Sequence, residues 1–296
     1  MAVLAAFVAA LAGALGLGTD ARSLTPREKA ALLVVSSPPV PRGVTNVFLH
    51  RWETDDERPR RALVLVDQEG GGVRAYPGLP PASPAASYTS AASAKTAGRA
   101  TGLGLRKLGV GVDLAPVLDS PDGPLGSRHF RRASYGVAFA RGLASAGVAA
   151  CAKHFPGLGS TSESTDSRRP VRGIVRASEL AGFRAAIEAG VPCVMVSHAI
   201  YPRFGRAPAS IEPEAYRLLR EQGFTGVAIT DELGVLGHAR AAEWARRAVL
   251  AGADLVLFSS ATSAARAIDA LVPLARRGLL DPHVARVLRL QAVYRR

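Results

Sequence analysis

Acids and cations stand at or near the ends of short apolar runs along this chain. Asp67 stands near the end of a run over 62–68 and Glu69 just after it, Asp119 follows 110–117, and Lys153 and His154 lie within 148–155. His198 falls within 192–199, and Asp231 with Glu232 closes 226–231. If these runs are neighbouring strands, the groups meet at one mouth. Carboxylates accept from hydroxyls, while Lys and Arg donate to them, so such a ring suits a polyhydroxylated ligand. Taken singly, each acid reads equally well as a satisfied structural group. Five strands ending in this way favour a site.

The elements that must position these groups follow a simple pattern. Eight β-rich apolar runs cover 31–37, 44–50, 62–68, 110–117, 148–155, 192–199, 226–231 and 253–259. Continuous rather than alternating apolar character marks parallel strands buried on both faces. Helical patterns separate the later runs, over 91–108, 135–146, 177–189, 212–222, 239–251 and 261–277. The expected class is α/β, a TIM-like (β/α)8 barrel with its site at the C-terminal ends of the strands. Pro38, Pro39 and Pro41 leave no room for a helix after the first run. Only a charged stretch over 53–61 separates the second run from the third. The barrel is therefore expected to be irregular or incomplete in its first two β/α units. No glycine-rich dinucleotide fingerprint follows the first run.

Composition narrows the remaining classes. The chain of 296 residues carries a formal net charge of +13, which attracts anions in general. Only Lys29, Lys95, Lys107 and Lys153 are lysines among 37 basic residues, and the arginines are scattered. No zinc-finger, helix-turn-helix or RNA-binding signature accompanies them, so no nucleic-acid partner is expected. Cys151 and Cys193 lie in apolar runs and read as buried free thiols. Residues 1–20 form an apolar segment of signal-peptide or anchor type, and residues 24–296 a single domain. The protein is accordingly expected to be exported or associated with the cell envelope, and otherwise cytoplasmic. Any membrane association would run through that segment alone.

The segments DQEGGGVRAYPGLPPA (67–82), GVDLAPVLD (111–119), GSRHF (126–130), KHFPGLG (153–159), SHAIYP (197–202) and FTGVAITDEL (224–233) resemble glycoside hydrolase family 3 in the family's order. The likeness is to its single-domain bacterial β-N-acetylglucosaminidases. The resemblance implies that Asp231 is the nucleophile that forms a covalent glycosyl-enzyme. A carboxylate held at a strand end also stabilises oxocarbenium character. It further implies sugar-binding roles for Asp67, Arg128, Lys153 and His154, and a supporting role for His198. Arg74 is carried over as a sugar-binding residue too, although the family commonly has its Arg one position later, where this chain has Ala75. Carboxylate chemistry of this kind calls for no metal or organic cofactor. The ligand implied is a carbohydrate, an N-acetylglucosamine-type sugar from cell-wall fragments, bound by a monomer.

One departure bears on mechanism. These glucosaminidases carry Asp-Ser-His on the loop after KHFPG, and its His is the acid/base. Here the loop reads SESTDSRRP, with Asp166 and Ser167 retained but Arg168 in place of the His. His titrates near neutrality, whereas Arg stays protonated and cannot act as a base. Three readings follow. Glu163, Asp166 or His129 supplies the proton to a working retaining exo-β-glycosidase; or sugar passes to an anionic acceptor drawn by Arg168 and Arg169; or the barrel binds sugars or muropeptides with weak or no turnover.

Overall fold

A computed structural model describes residues 21–167 and 169–295. The apolar segment over 1–20 and Arg168 therefore lie outside the described residues. Eight parallel strands close into a barrel in sequence order: β1 Val34–Ser36, β2 Asn46–Leu49, β3 Leu63–Val66, β4 Val110–Asp113, β5 Ala149–Phe155, β6 Cys193–Val196, β7 Val227–Glu232 and β8 Leu255–Phe258. β1 pairs with both β2 and β8, so the ring has no open edge. Nearly every strand residue is buried, as continuous apolar runs require when helices cover one face and the barrel core the other.

The expected irregularity is real, but the strand ring is complete. No helix joins β1 to β2 or β2 to β3. Helices α2 Ala91–Lys107, α3 Ala133–Ser145, α4 Ala177–Glu188, α5 Pro213–Glu221 and α6 Ala241–Ala251 join the later strands, and α7 Ala261–Arg276 follows β8. Two further helices were not foreseen: α1 Pro26–Leu32 before β1 and α8 Asp281–Tyr294 after α7. Helix α1 begins with a capping box, in which Thr25 accepts from the Glu28 N–H and Glu28 from the Thr25 N–H. Helix α8 serves the helix-poor quarter. Its Gln291 donates to the Thr45 and Asn46 side chains, and Asn46 donates to Leu32 O, which ties the base of β2 to both terminal helices.

Two polar features sit inside this frame. At the base of the barrel the buried Asp254 accepts from Arg220, Arg286, His283 and the Ala228 N–H, a closed set of protein partners. Between β5 and β6, Cys151 and Cys193 form a disulfide, which corrects the reading of free thiols. They are register partners on adjacent parallel strands, with Cα atoms 4.3 Å apart, a proximity that their separation of 42 residues conceals.

Candidate active site

The strand-end residues converge at the C-terminal mouth. Lys153, near the end of β5, is buried between two carboxylates, with Nζ 2.5 Å from Asp67 Oδ1 and 2.7 Å from Glu69 Oε1. Glu69 also takes a two-pronged contact from Arg128, whose Nε and Nη2 each donate at 2.9 Å. Burial opposes charge on Glu69, but Lys153 and Arg128 outweigh it and hold the carboxyl well below the usual range. Lys153 shows the complement: burial disfavours its charge, yet Asp67 and Glu69 together raise its pKa. An ammonium has three donors and two are spent on these carboxylates, which leaves one for a further acceptor.

The hairpin carrying this lattice owes its shape to glycine. Gly70 lies at φ +112°, and a Cβ there would stand 2.4 Å from Ser83 O. Arg74, on the same hairpin, spends its Nε on Gly71 O and its Nη1 on Pro77 O. It therefore braces the turn, while still lining a cavity beside Asp67.

His154 is oriented by Asp119. Its Nδ1 lies 2.7 Å from Asp119 Oδ2, and because a carboxylate only accepts, Nδ1 carries the proton. Asp119 also accepts from the backbone N–H groups of His154 and Leu158, so it fixes the turn as well as the ring. Glu179, buried in the first turn of α4, accepts from the Ser120 and Gly159 N–H groups and joins the loops after β4 and β5. A Cβ at Gly157 or Gly159 would come within 2.4 or 2.7 Å of its Oε1, which accounts for both glycines of KHFPGLG.

Across the mouth, Asp231 stands at the end of β7, half-buried, with Oδ1 accepting from the Glu232 N–H at 2.9 Å. Burial works against its charge. His198, His154, the Glu232 N–H and Lys153 together outweigh burial and hold the carboxyl below its ordinary value. His198 has both nitrogens occupied: Nε2 donates to Glu232 O at 2.8 Å and Nδ1 meets Ser210 Oγ at 2.7 Å. These contacts brace the strand end. The Glu232 side chain is likewise committed, accepting from the Val235 and Ser259 N–H groups.

The loop after β5 is built differently. Asp166 is exposed, accepts from Ser164 Oγ at 2.7 Å, and lies 3.9 Å from Arg128 Nη1. Glu163 is half-buried on the same loop. His129, beside Arg128, is buried with Nδ1 lacking a hydrogen-bond partner. The structure thus joins Asp67, Lys153, His154, Arg128 and Asp231 about one mouth and leaves Glu163 and Asp166 on its rim. Two buried groups escaped notice in the sequence. Glu179 looks like an ordinary helix-start acid. Asp113, at the end of β4, accepts from the Gln68 N–H through Oδ1 while Oδ2 has no partner. Its signal, an acid inside a continuous apolar run, was available.

A closed parallel barrel with carboxylates, a lysine and a histidine at its C-terminal mouth places the protein in the TIM-barrel class, with its polar groups where such barrels carry their sites. The model of the glycosyl hydrolase family 3 N-terminal domain matches residues 46–290, and the chain belongs to that family of glycoside hydrolases. Among curated proteins, a β-hexosaminidase of Stenotrophomonas maltophilia is 35% identical over 200 residues, 60% of each chain. This chain thus spans about three fifths of that relative's length. A β-hexosaminidase of Xanthomonas euvesicatoria is 32% identical over 240 residues, 72% of each. The β-N-acetylhexosaminidase structure from Beutenbergia cavernae superposes with a TM-score of 0.81 at 27% identity, covering 92% of this chain and 99% of that one. A family 3 β-N-acetylglucosaminidase from Paenibacillus gives 0.82 at 29% identity, covering 92% and 63%.

Proposed function

We propose that the protein is a retaining exo-β-N-acetylhexosaminidase acting on N-acetylglucosamine-type sugars of peptidoglycan fragments. The observation that carries this reading is Asp231, held ionised at the end of β7 and facing a lattice of sugar-binding donors and acceptors. Its relatives named as β-hexosaminidases support the substrate class. In the first step an Asp231 oxygen bonds to C1 of the sugar, and the glycosidic C1–O bond breaks as an acid on the rim protonates the leaving oxygen. In the second, water attacks C1 as the C1–O bond to Asp231 breaks and frees its carboxylate, the water's proton passes to that rim group, and the sugar leaves with its configuration retained. Glu163 and Asp166 are the rim carboxyls for this role. The Cys151–Cys193 disulfide supports export, since such bonds persist in oxidising compartments.

The test is turnover of an aryl β-N-acetylglucosaminide with an activated leaving group, which needs little protonation. Wild type should turn over and accumulate a glycosyl-Asp231 species, and Asp231→Ala should lose about 10⁴-fold or more. No turnover and no covalent species would overturn the proposal. A sugar-binding barrel without turnover is the second reading, favoured by the engagement of Asp166 with Ser164 near Arg128. Retained sugar binding with no covalent species would select it.

A further inference from the structure

The end of the barrel opposite the mouth has a character of its own. Arg60 and Arg61 stand just before β3, Arg106 and Lys107 close α2 ahead of β4, and Arg276 and Arg277 close α7. All six are exposed. The ion pairs at this end, Lys29 with Asp281 and Asp254 with Arg220, His283 and Arg286, use none of them. Helix α8 crosses the same end. It reaches Asp254 ahead of β8 and Thr45 and Asn46 at the start of β2, and a Cβ on Gly111 near the start of β4 would meet Tyr294 O. Its outer face presents Arg289. The cations are gathered on one half. Glu188 and Glu221, the acids that close α4 and α5 at this end, precede β6 and β7, whereas the cations lie under the arc from β8 through β1 to β4.

Helix C-termini favour cations on their own account, so charge alone assigns nothing here. The apolar residues add more. Seven large hydrophobic side chains are exposed among the described residues, and four of them, Leu108, Leu250, Leu279 and Val293, stand at this end. Leu108 follows Lys107 directly, Leu279 comes just after Arg277, and Val293 lies one helical turn from Arg289. The path of the chain points the same way. Residues 1–20 are an apolar run in sequence, and the described fold begins with Ala21–Ser23, which lies against α8.

We propose that this basic and apolar end is a docking face for an anionic lipid bilayer. The cations meet the phosphate headgroups, while Leu108, Leu279 and Val293 reach the acyl boundary. The folded barrel thereby adds its own contact to any that the apolar segment makes, and the mouth points away from the lipid. An anionic polymer in solution would satisfy the arginines but leave the leucines without a partner. This docking is independent of the glycosidase reading.

The test labels the full chain with a polarity-sensitive fluorophore at one introduced cysteine, Val293→Cys at the base or Arg203→Cys on the loop after β6. Each protein is mixed with phosphatidylcholine vesicles with or without about 30% phosphatidylglycerol. The base label should enter an apolar environment on the anionic vesicles and return to water in high salt, while the mouth label stays wet throughout. Both readings hold whether or not residues 1–20 insert. Each cation near such a surface is worth about 5-fold, so reversing Arg60, Lys107, Arg277 and Arg289 to Glu should lower the anionic-lipid-dependent binding about 100-fold or more. Reversing Arg51, Arg172, Arg203 and Arg206 on mouth-side loops changes the net charge equally and should cost far less. Leu279→Ser with Val293→Ser should weaken vesicle binding and leave its salt dependence intact. All these side chains are exposed, so the variants should fold. Equal losses in the two charge-reversed proteins would make net charge the cause and overturn the docking face. So would a base label that stays wet on anionic vesicles. Binding to soluble polyglycerol phosphate as tight as to vesicles, with no effect of the serine substitutions, would also overturn it and select an anionic polymer.

Discussion

Two parts of the mouth are built on opposite principles. On the β3–β5 side, Asp67, Glu69, Lys153 and Arg128 form a lattice in which every charge has a partner at 2.9 Å or less, and Glu69 and Lys153 are almost wholly buried. On the rim, the loop after β5 holds Asp166 by one contact to Ser164 and a 3.9 Å approach to Arg128. Ligand recognition needs fixed geometry, which strand ends and buried ion pairs provide. Proton transfer needs a group able to reach a leaving atom and withdraw. On the proposed reading, the recognition residues are locked into the barrel, while the proton donor rides on the exposed loop.

The sharpest way to break this contrast is at Glu69. Glu69→Gln removes the acid shared by Lys153 and Arg128 and leaves two cations facing a neutral amide. Breaking a buried pair in this way costs about 3–5 kcal/mol. Chemical denaturation should show a loss of that order together with weakened sugar binding. A loss below about 1 kcal/mol would mean that water screens the lattice far better than its burial suggests.

The loop predicts the reverse signature. Glu163→Gln and Asp166→Asn should each change stability by less than about 0.5 kcal/mol, as surface substitutions do. Whichever is the acid should lower turnover of an unactivated glycoside by about 10²–10⁴-fold and barely affect an activated aryl glycoside. Arg168→His should raise the unactivated rate if the proton donor is what the chain lacks. If neither carboxyl variant nor Arg168→His alters the ratio of the two rates, proton transfer is not this loop's function.

The same contrast governs what the sequence made legible. All eight strands announced themselves as continuous apolar runs, and strand-end polar residues such as Asp67, Lys153 and Asp231 could be read off because strands converge at a barrel mouth. Helix α1 is only seven residues long, and α8 lies beyond the last strand, where no alternation of strand and helix calls for it. Long-range pairing was the harder part. Nothing local says that Glu179 reaches the loops after β4 and β5, that Cys151 faces Cys193, or that Trp52 settles on His50 beside Asp67. Arg74 shows the converse limit. Its type fitted sugar binding, but two backbone carbonyls of its own hairpin claim it.

The finest probe of the lattice is the acid beneath it. Burial pushes the Asp113 carboxyl up to about 8, although the Gln68 N–H and Lys153 favour its charge, and Asp67 and Glu69 add to the rise. Near neutrality it is therefore a neutral acid below a charged lattice, which keeps Lys153 shared between Asp67 and Glu69 alone. The unfolded chain ionises this group near 3.8, whereas the folded chain holds its proton to about 8. Across that window the folded state binds more protons than the unfolded one, so this group's contribution to stability falls as pH rises and levels off above about 8. Asp113→Asn keeps the acceptor for Gln68 and carries no such proton. Near pH 4 it should match wild type, and near pH 7.5 it should be the more stable by roughly one to a few kcal/mol. Thermal melts of both proteins across that range decide the matter. Parallel curves would show that Asp113 ionises normally in the folded protein, and that the lattice contains one more charge than its geometry accommodates.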